Sequence, residues 1–409
     1  MSTALDIAFR QSGGRVVSAL AAGFRDLDLA EEAFADACAR AVEVWGTSPP
    51  ADPAAWLYAV ARRRALDRLR RRATSQAHRP DEAPPGPTPE DHLMAMDDPI
   101  PDERLRLIFV CCHPAIAPDA RAALTLKTVC GLTTGQIAGA FLTTETTLAQ
   151  RLVRAKRKIA QAGVPFEVPD RHQWPDRMDA VLSTLEVAYA QAHADAALAG
   201  PHAEFAREML SLTALLAQLT PDDAEVQALA ATVRLAEARR PARLDAEGAL
   251  RPLTEQDVRD WDGALITEGE GYLARAARLA HRTRSPPGPR ALQAAIHAAH
   301  AGRRITGVTP WRAILGLYDA LLGWRDDPVI RVNRAVALAE VEGPAAALAA
   351  LDDAAAPGWL PFHAARASRS ARLGRGPEAA GDYQAALALS PSPAEAQFLN
   401  RRQAVSVAI

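Results

Sequence analysis

The stretch LTTGQIAGAFLTTETTLAQRLVRAKRKI, residues 132–159, predicts two short helices joined by a tight turn. Thr133 is a candidate N-cap for the first helix, with Gln136 three residues later as its capping-box partner. Thr143 or Thr144 can cap the second helix, in which apolar residues recur at spacings of three and four. This pattern is typical of a helix-turn-helix, whose second helix enters the major groove of DNA.

The outward face of the second helix combines polar side chains suited to base edges with cations suited to phosphates. The candidate DNA-contacting residues are Thr144, Glu145, Thr146, Ala149, Gln150, Arg151, Arg154, Lys156, Arg157 and Lys158. Within this set we expect Gln150 and Glu145 to read bases, and Arg151, Arg154 and Lys156 to meet phosphate. The alternative for this segment alone is an amphipathic hairpin with a solvated basic end.

A second basic segment, DPAAWLYAVARRRALDRLRRR at residues 52–72, predicts one helix with Asp52 as N-cap and Pro53 in its first turn. Its last eleven residues hold seven arginines and one acid, Asp67. These arginines repel each other unless an anion is near, and phosphate is the natural one. The candidate contacts are Arg62, Arg63, Arg64, Arg68, Arg70 and Arg71.

Upstream, DLAEEAFADACARAVEVW at residues 28–45 predicts an amphipathic helix that begins with Asp28 and Glu31 as a capping-box pair. One face is an apolar stripe that ends at Trp45. The opposite face is charged, with Glu32, Asp36 and Arg40 in one row.

The order of these three segments resembles a sigma factor of bacterial RNA polymerase, of the extracytoplasmic-function (ECF) class. Residues 28–45 are similar to the region-two helix that binds the clamp of the polymerase. The resemblance therefore implies core polymerase contacts for Glu31, Glu32, Asp36, Arg40 and Trp45. Residues 52–72 resemble the helix that contacts the −10 promoter element. Residues 132–159 resemble region four, whose second helix reads the −35 element.

FVCCHPAIAP at residues 109–118 and QRLVRAKRKI at 150–159 resemble ECF factors with a long C-terminal extension. The chain departs from common ECF patterns at Arg63, where many members have Asn, and at Ala149, where many have Lys. The Asn-Glu-Gly-Tyr signature of the extended subgroup is also absent from residues 188–200. The resemblance therefore does not imply a promoter sequence.

An acidic, proline-rich stretch separates the two DNA-binding segments: residues 73–103 carry one base against eight acids. We interpret it as a linker. About 30 residues span up to ~95 Å when extended, whereas promoter elements about 17 base pairs apart lie ~58 Å from each other along the duplex. The linker can therefore hold both modules on one promoter, and the resemblance implies that it follows the RNA path.

The second half of the chain predicts helices broken by Gly and Pro, and therefore an all-α protein. Residues 363–391 have the spacing of a tetratricopeptide repeat (TPR), and Gly343-Pro344 recurs as Gly376-Pro377. Residues 241–262 predict a long loop whose apolar residues are expected to pack against a neighbouring part of the protein. The predicted domains are 1–72 (region-2-like), 73–103 (linker), 104–163 (region-4-like helix-turn-helix), 164–176 (joint) and 177–409 (TPR-like solenoid). Such a solenoid either binds other proteins or clamps the sigma modules.

Several function classes find no support in the 409 residues. Common catalytic motifs are absent from the sequence, as are apolar runs of membrane-spanning length and a secretory pattern. We therefore expect a cytoplasmic protein that is not an enzyme and has no cofactor. Cys111-Cys112-His113 invites a zinc site, but adjacent cysteines are poor tetrahedral partners, so we expect buried structural thiols and no metal.

The predicted function is a sigma factor that directs bacterial RNA polymerase to specific promoters and aids DNA opening in transcription initiation, and that is regulated by its C-terminal TPR-like extension. The expected partners are core RNA polymerase, promoter duplex, the unpaired −10 strand and a protein that binds the extension. The alternative is a stand-alone helix-turn-helix regulator with a protein-binding solenoid. A helical scaffold or enzyme built on the second half is a further rival.

Overall fold

The computed structural model describes residues 3–45, 50–77, 103–129, 131–141, 143–167, 169, 174–194, 201–354 and 356–407. Along these ranges the regular elements are helices, and the one β feature is an isolated bridge between Leu244 and Leu250. The predicted all-α fold is confirmed. The chain divides into two compact units, Met1–Ala192 and His193–Ile409, which we call unit 1 and unit 2.

Unit 1 contains eight helices among its described residues. They are α1 (Thr3–Phe24), α2 (Leu27–Trp45), α3 (Pro53–Ala77), α4 (Arg104–Cys111), α5 (Pro118–Thr128), α6 (Thr134–Ala140), α7 (Glu145–Gln161) and α8 (Trp174–Ala194). Helices α1, α2 and α3 pack on each other around Leu20, Leu29 and Leu57, which are fully buried. Small residues such as Ala33 and Ala37 have no exposed surface and allow the close approach of α2.

The caps of α2 and α3 and the end of α3 can be compared with the predicted ones. Helix α2 is capped by Asp26, whose Oδ1 accepts the Leu29 N–H at 3.0 Å, so the predicted cap at Asp28 was wrong. Helix α3 has the predicted cap, since Asp52 Oδ1 accepts the Ala55 N–H at 2.9 Å. It continues to Ala77, into the predicted linker, because no Gly or Pro interrupts that stretch. Residues 78–102 lie outside the described residues.

Helix α4 connects the bundle of α1, α2 and α3 to the helices that follow it in unit 1. Its residues 107–111 are buried, and it packs against both α1 and α5. Cys111 Sγ lies 3.2 Å from Thr128 Oγ1, and burial raises the pKa of the Cys112 thiol. Among the described residues no group of three potential metal ligands comes together. The two adjacent cysteines lie inside the packing of α4 on α5.

Helix α8 lies within unit 1, although the sequence analysis placed residues 177 onward in the extension. Arg177 donates to the Phe109 carbonyl at 2.7 Å, and its guanidinium lies 6.0 Å from the Phe109 ring centroid. Val181 and Leu185 are fully buried. The boundary between the compact units therefore follows Ala192, and not the predicted joint at residues 164–176.

Unit 2 is a series of helices that pack mainly on their neighbours in the chain. They are α9 (Pro201–Leu219), α10 (Ala224–Glu237), α11 (Gly263–Thr283), α12 (Pro289–Ala301), α13 (Arg303–Thr306), α14 (Trp311–Trp324), α15 (Pro328–Val341), α16 (Pro344–Ala354), α17 (Leu360–Arg372), α18 (Gly376–Leu387) and α19 (Pro393–Val407). The turns after α15 and α17 place Gly343 and Gly374 at φ of 96° and 73°, where glycine avoids strain.

The apolar segment at residues 241–262 packs inside unit 2, as its composition predicted. Trp261 is 2% exposed within the core formed by α10, α11 and α12. At the other side of the segment, Leu250 N–H donates to Ala394 O at 3.0 Å. Arg401 reaches Asp245 at 2.6 Å. The segment therefore ties the first helices of the series to the last one.

Candidate functional site

Helix α7 has the cap and the faces that its sequence predicted. Thr144 Oγ1 accepts the Thr147 N–H at 3.2 Å. Leu148, Leu152 and Ile159 are buried against the rest of unit 1. The opposite face is exposed and carries most of the predicted DNA contacts. These are Thr144, Glu145, Thr146, Ala149, Gln150, Arg154, Arg157 and Lys158.

Two of the predicted phosphate contacts on α7 are engaged inside unit 1. Lys156 Nζ lies 2.6 Å from Asp28 Oδ1 and 2.8 Å from Glu31 Oε2 on α2, and its side chain is only 13% exposed. Burial alone would lower the pKa of this ammonium, but the charges and hydrogen bonds of the two carboxylates outweigh it and raise the pKa. Arg151 lies 3.5 Å from Asp119. In this arrangement Lys156 is not on the outward face.

The arginines of α3 divide into two groups. Arg68 points to α2, where it forms ion pairs with Glu32 and, at 2.7 Å, with Asp36. That hydrogen bond to Asp36 is the largest cause of the raised pKa of Arg68. The other predicted contacts of this helix are exposed: Arg62, Arg63, Arg64, Arg70 and Arg71. Three consecutive exposed arginines thus begin this run and two end it, and Arg70 lies 3.8 Å from Asp67.

The charged face of α2 receives cations from two other helices. Glu31 accepts from Lys156 of α7, whereas Glu32 and Asp36 accept from Arg68 of α3. Arg40 pairs with Glu43 on its own helix at 2.8 Å and stays half exposed. Asp28 was not predicted as a partner of Lys156, because its sequence position indicated a helix cap.

Trp45 departs from its predicted role as a polymerase contact. It is 7% exposed, and its ring packs edge-on against Trp56 of α3 at 5.1 Å between centroids. Trp45 is therefore a core residue at the end of α2, and its assignment to the binding face was wrong. The apolar stripe that ends at Trp45 correctly predicted its burial.

Three segments of the chain match known protein families. Residues 8–74 match Sigma-70 region 2, and residues 106–159 match region 4. Residues 177–277 match DUF6596, a family of unknown function, so this match begins in unit 1 and ends in unit 2. The chain is also 38% identical, over 406 residues, to the uncharacterized protein R00370 of Rhizobium meliloti (strain 1021), covering 97% of this chain and 94% of that protein.

The chain belongs to the family of that protein, and it is a sigma factor. Its two sigma regions imply interaction with core RNA polymerase and promoter DNA in transcription initiation. No solved structure matches the chain. In the described part of this sigma factor, no helix is long and apolar enough to span a membrane.

Proposed function

We propose that this sigma factor is of the ECF class, and that α2, α3 and α7 divide promoter recognition among them. The charged row on α2, formed by Glu32, Asp36 and Arg40, binds core polymerase. The arginines of α3 contact the −10 element and its unpaired strand. Helix α7 reads the −35 element. The observation that carries this proposal is the outward face of α7, where polar side chains begin the helix and cations end it.

The packing of α7 on α2 supports a second part of this proposal. Lys156 Nζ on α7 lies 2.6 Å from Asp28 Oδ1 and 2.8 Å from Glu31 Oε2 on α2. Two promoter elements about 17 base pairs apart lie ~58 Å from each other. Region 2 and region 4 cannot keep this contact while each lies on its own element. We therefore propose that the two regions separate when the sigma factor joins polymerase and promoter.

Unit 2 is proposed to be a TPR-like extension that regulates initiation. In support, α15 with α16 and α17 with α18 form successive helix pairs, and the turn within each pair contains a glycine of positive φ. Such series of helices form extended binding surfaces in solenoid proteins. Regulation then proceeds through a partner bound to unit 2 or through unit 2 itself.

Run-off transcription with core RNA polymerase on genomic fragments tests the proposal and identifies the promoters. We expect Gln150→Ala to change the preferred −35 sequence by about 1–3 kcal/mol for the base it reads. We expect Arg154→Ala to weaken all promoters alike and to reduce the salt slope by about one ion. Arg278→Ala is the matched control, because Arg278 is exposed on α11 in unit 2.

Equal losses on specific and scrambled DNA for Gln150→Ala would contradict its assignment to a base. A stand-alone helix-turn-helix regulator predicts specific DNA binding without polymerase and no co-elution with it. Co-elution of the purified protein with core polymerase therefore separates the two functions. Unchanged co-elution of an Arg40→Glu variant would move the polymerase contact to another surface.

A further inference from the structure

Unit 2 contains a cavity of about 630 Å³, and none of its lining residues is among the proposed DNA or polymerase contacts. Helices α15, α17 and α19 contribute to its wall, together with the turn at residues 252–255. The cavity is a built feature of the unit, because the 241–262 segment is hydrogen-bonded to α19 through Leu250 and Ala394. Its volume lies in the range of pockets that hold small organic ligands.

The cavity wall combines aromatic surface with five charged side chains. Trp311, Tyr318 and Phe398 supply rings. The charged residues are Arg369, Arg372, Arg402, Glu255 and Glu340. Two of the arginines are neutralised locally, since Arg372 pairs with Glu340 and Arg402 pairs with Glu255. The wall therefore holds one more cation than anion.

Arg369 is the cation of this wall that forms no ion pair among the described residues, and the charge of Glu340 only partly offsets the lowering of its pKa by burial. It is 8% exposed, and among the described residues no carboxylate lies within ion-pair distance of it. Its Nη2 reaches only the Val336 carbonyl at 3.5 Å, and its Nε–H is buried with no acceptor. A buried charge of this kind is costly unless an anion and good hydrogen bonds compensate it. The unused donors of this guanidinium are the strongest ligand-directed feature of unit 2.

We propose that this cavity binds an organic carboxylate with an apolar body, and that Arg369 receives the carboxylate. A guanidinium presents a planar fork of donors that matches a carboxylate in a bidentate pair. The aromatic wall then covers the apolar part of the ligand. The carboxylate belongs either to a small free acid or to the C-terminus of a peptide, and the two sources share this chemistry at Arg369.

Calorimetric titration of the full-length protein tests the site without polymerase or DNA, so its outcome is independent of the sigma function. The probes are 4-phenylbutyrate, its neutral amide, inorganic phosphate, and the peptide Ac-Ala-Ala-Leu-Phe with a free or an amidated C-terminus. We expect one of the two carboxylates to bind, and its neutral counterpart to bind about tenfold more weakly or worse. The carboxylate that binds more tightly shows whether the natural ligand is a small acid or a peptide C-terminus.

Arg369→Met separates a binding role from a structural one. It removes the charge and keeps an apolar chain, so we expect the Kd of the bound carboxylate to rise about tenfold or more. The thermal midpoint of the free protein should stay unchanged or rise, because an uncompensated buried charge has been removed. Arg369→Lys keeps the charge without the fork and should fall between the two, whereas Arg278→Met should bind as the parent does.

Three results would overturn the proposal. The first is no binding of either carboxylate at millimolar concentration. The second is equal binding by Arg369→Met and the parent, or by an amide and its acid. The third is tighter binding of inorganic phosphate than of both carboxylates, which would assign the cavity to a different anion. If Arg369→Met fails to fold, the titration of Arg369→Lys and the acid–amide comparison on the parent protein still decide.

Discussion

Removal of the Lys156 charge should open the contact between α2 and α7. The chosen change is Lys156→Met, because Met keeps the length and apolar character of the lysine stem. The loss is dominated by Glu31, which is 22% exposed and lies 2.8 Å from the ammonium. Asp28 is closer but 63% exposed, so water and salt screen most of its contribution.

The magnitude follows from these two exposures. A charge-assisted hydrogen bond in a partly buried site contributes about 1.5–3 kcal/mol, and an exposed ion pair contributes about 0–1 kcal/mol. We therefore expect the packed arrangement to lose about 2 kcal/mol. The ratio of separated to packed molecules should rise about 30-fold, since 1.4 kcal/mol corresponds to a factor of ten.

The assay is single-molecule energy transfer between dyes on α2 and α7. Val42 and Val153 are suitable label positions, because they are 44% and 54% exposed. Labels introduced as unnatural amino acids avoid the native cysteines. Lys158→Met is the matched control, since Lys158 is exposed on the same helix. It should leave the separated fraction unchanged.

A double-mutant cycle with Glu31→Gln isolates the pair from other effects of each change. We expect a coupling energy of about 1–2 kcal/mol for Lys156 and Glu31, which is above the ~0.5 kcal/mol scatter of independent sites. Coupling within that scatter, or an equal effect of Lys158→Met, would refute the argument that this ion pair holds region 4 on region 2.

Three further predictions concern other parts of the chain. Arg40→Glu should abolish co-elution with core polymerase while circular dichroism shows unchanged helicity, because Arg40 is exposed and its ion pair among the described residues is with Glu43 on the same helix. Truncation after Ala192, the end of unit 1, should retain promoter binding and change multi-round transcription relative to the full chain; identical output from both proteins would assign unit 2 to another role. Burial and the positive charges of Arg239 and Arg303 lower the pKa of His300 from 6.5 to about 3. Between these two pH values, His300 is therefore protonated in the unfolded chain and neutral in the folded chain. Stability of unit 2 should therefore fall by up to ~1.4 kcal/mol per pH unit from pH 6.5 downward, and denaturant melts of His300→Phe should show a smaller slope than the parent between pH 6.5 and 5.

Local signals in the sequence predicted the helices of the site well. Thr144 caps α7 and Asp52 caps α3 because each side chain only has to reach an amide three residues away. The buried face of α7 followed from the 3.6-residue period alone. The predicted cap of α2 was wrong because Asp26 and Asp28 are both residue types suited to a cap, and the local sequence does not decide between them.

Contacts between distant residues carried no comparable signal. Lys156 and Glu31 are 125 residues apart, and neither segment contains a sequence signal that predicts their contact. For the same reason, the periodicity of α8 predicted a helix but not the unit to which it belongs. Arg177 assigns it to unit 1 through a hydrogen bond to Phe109, 68 residues earlier. The family resemblance predicted a polymerase contact for Trp45, whereas the apolar stripe of α2 predicted its burial.

The acidic face of α2 connects the proposed polymerase and DNA contacts of this sigma factor. It accepts Lys156 from α7 and Arg68 from α3, two cations of the helices proposed to meet DNA. In the free chain, these carboxylates and cations therefore neutralise each other. A partner that takes the carboxylates of α2 leaves both cations without counter-ions, and DNA phosphate then becomes their most favourable partner. Because coupling between two binding events is reciprocal, DNA that captures Lys156 and Arg68 must strengthen polymerase binding at α2 by the same factor.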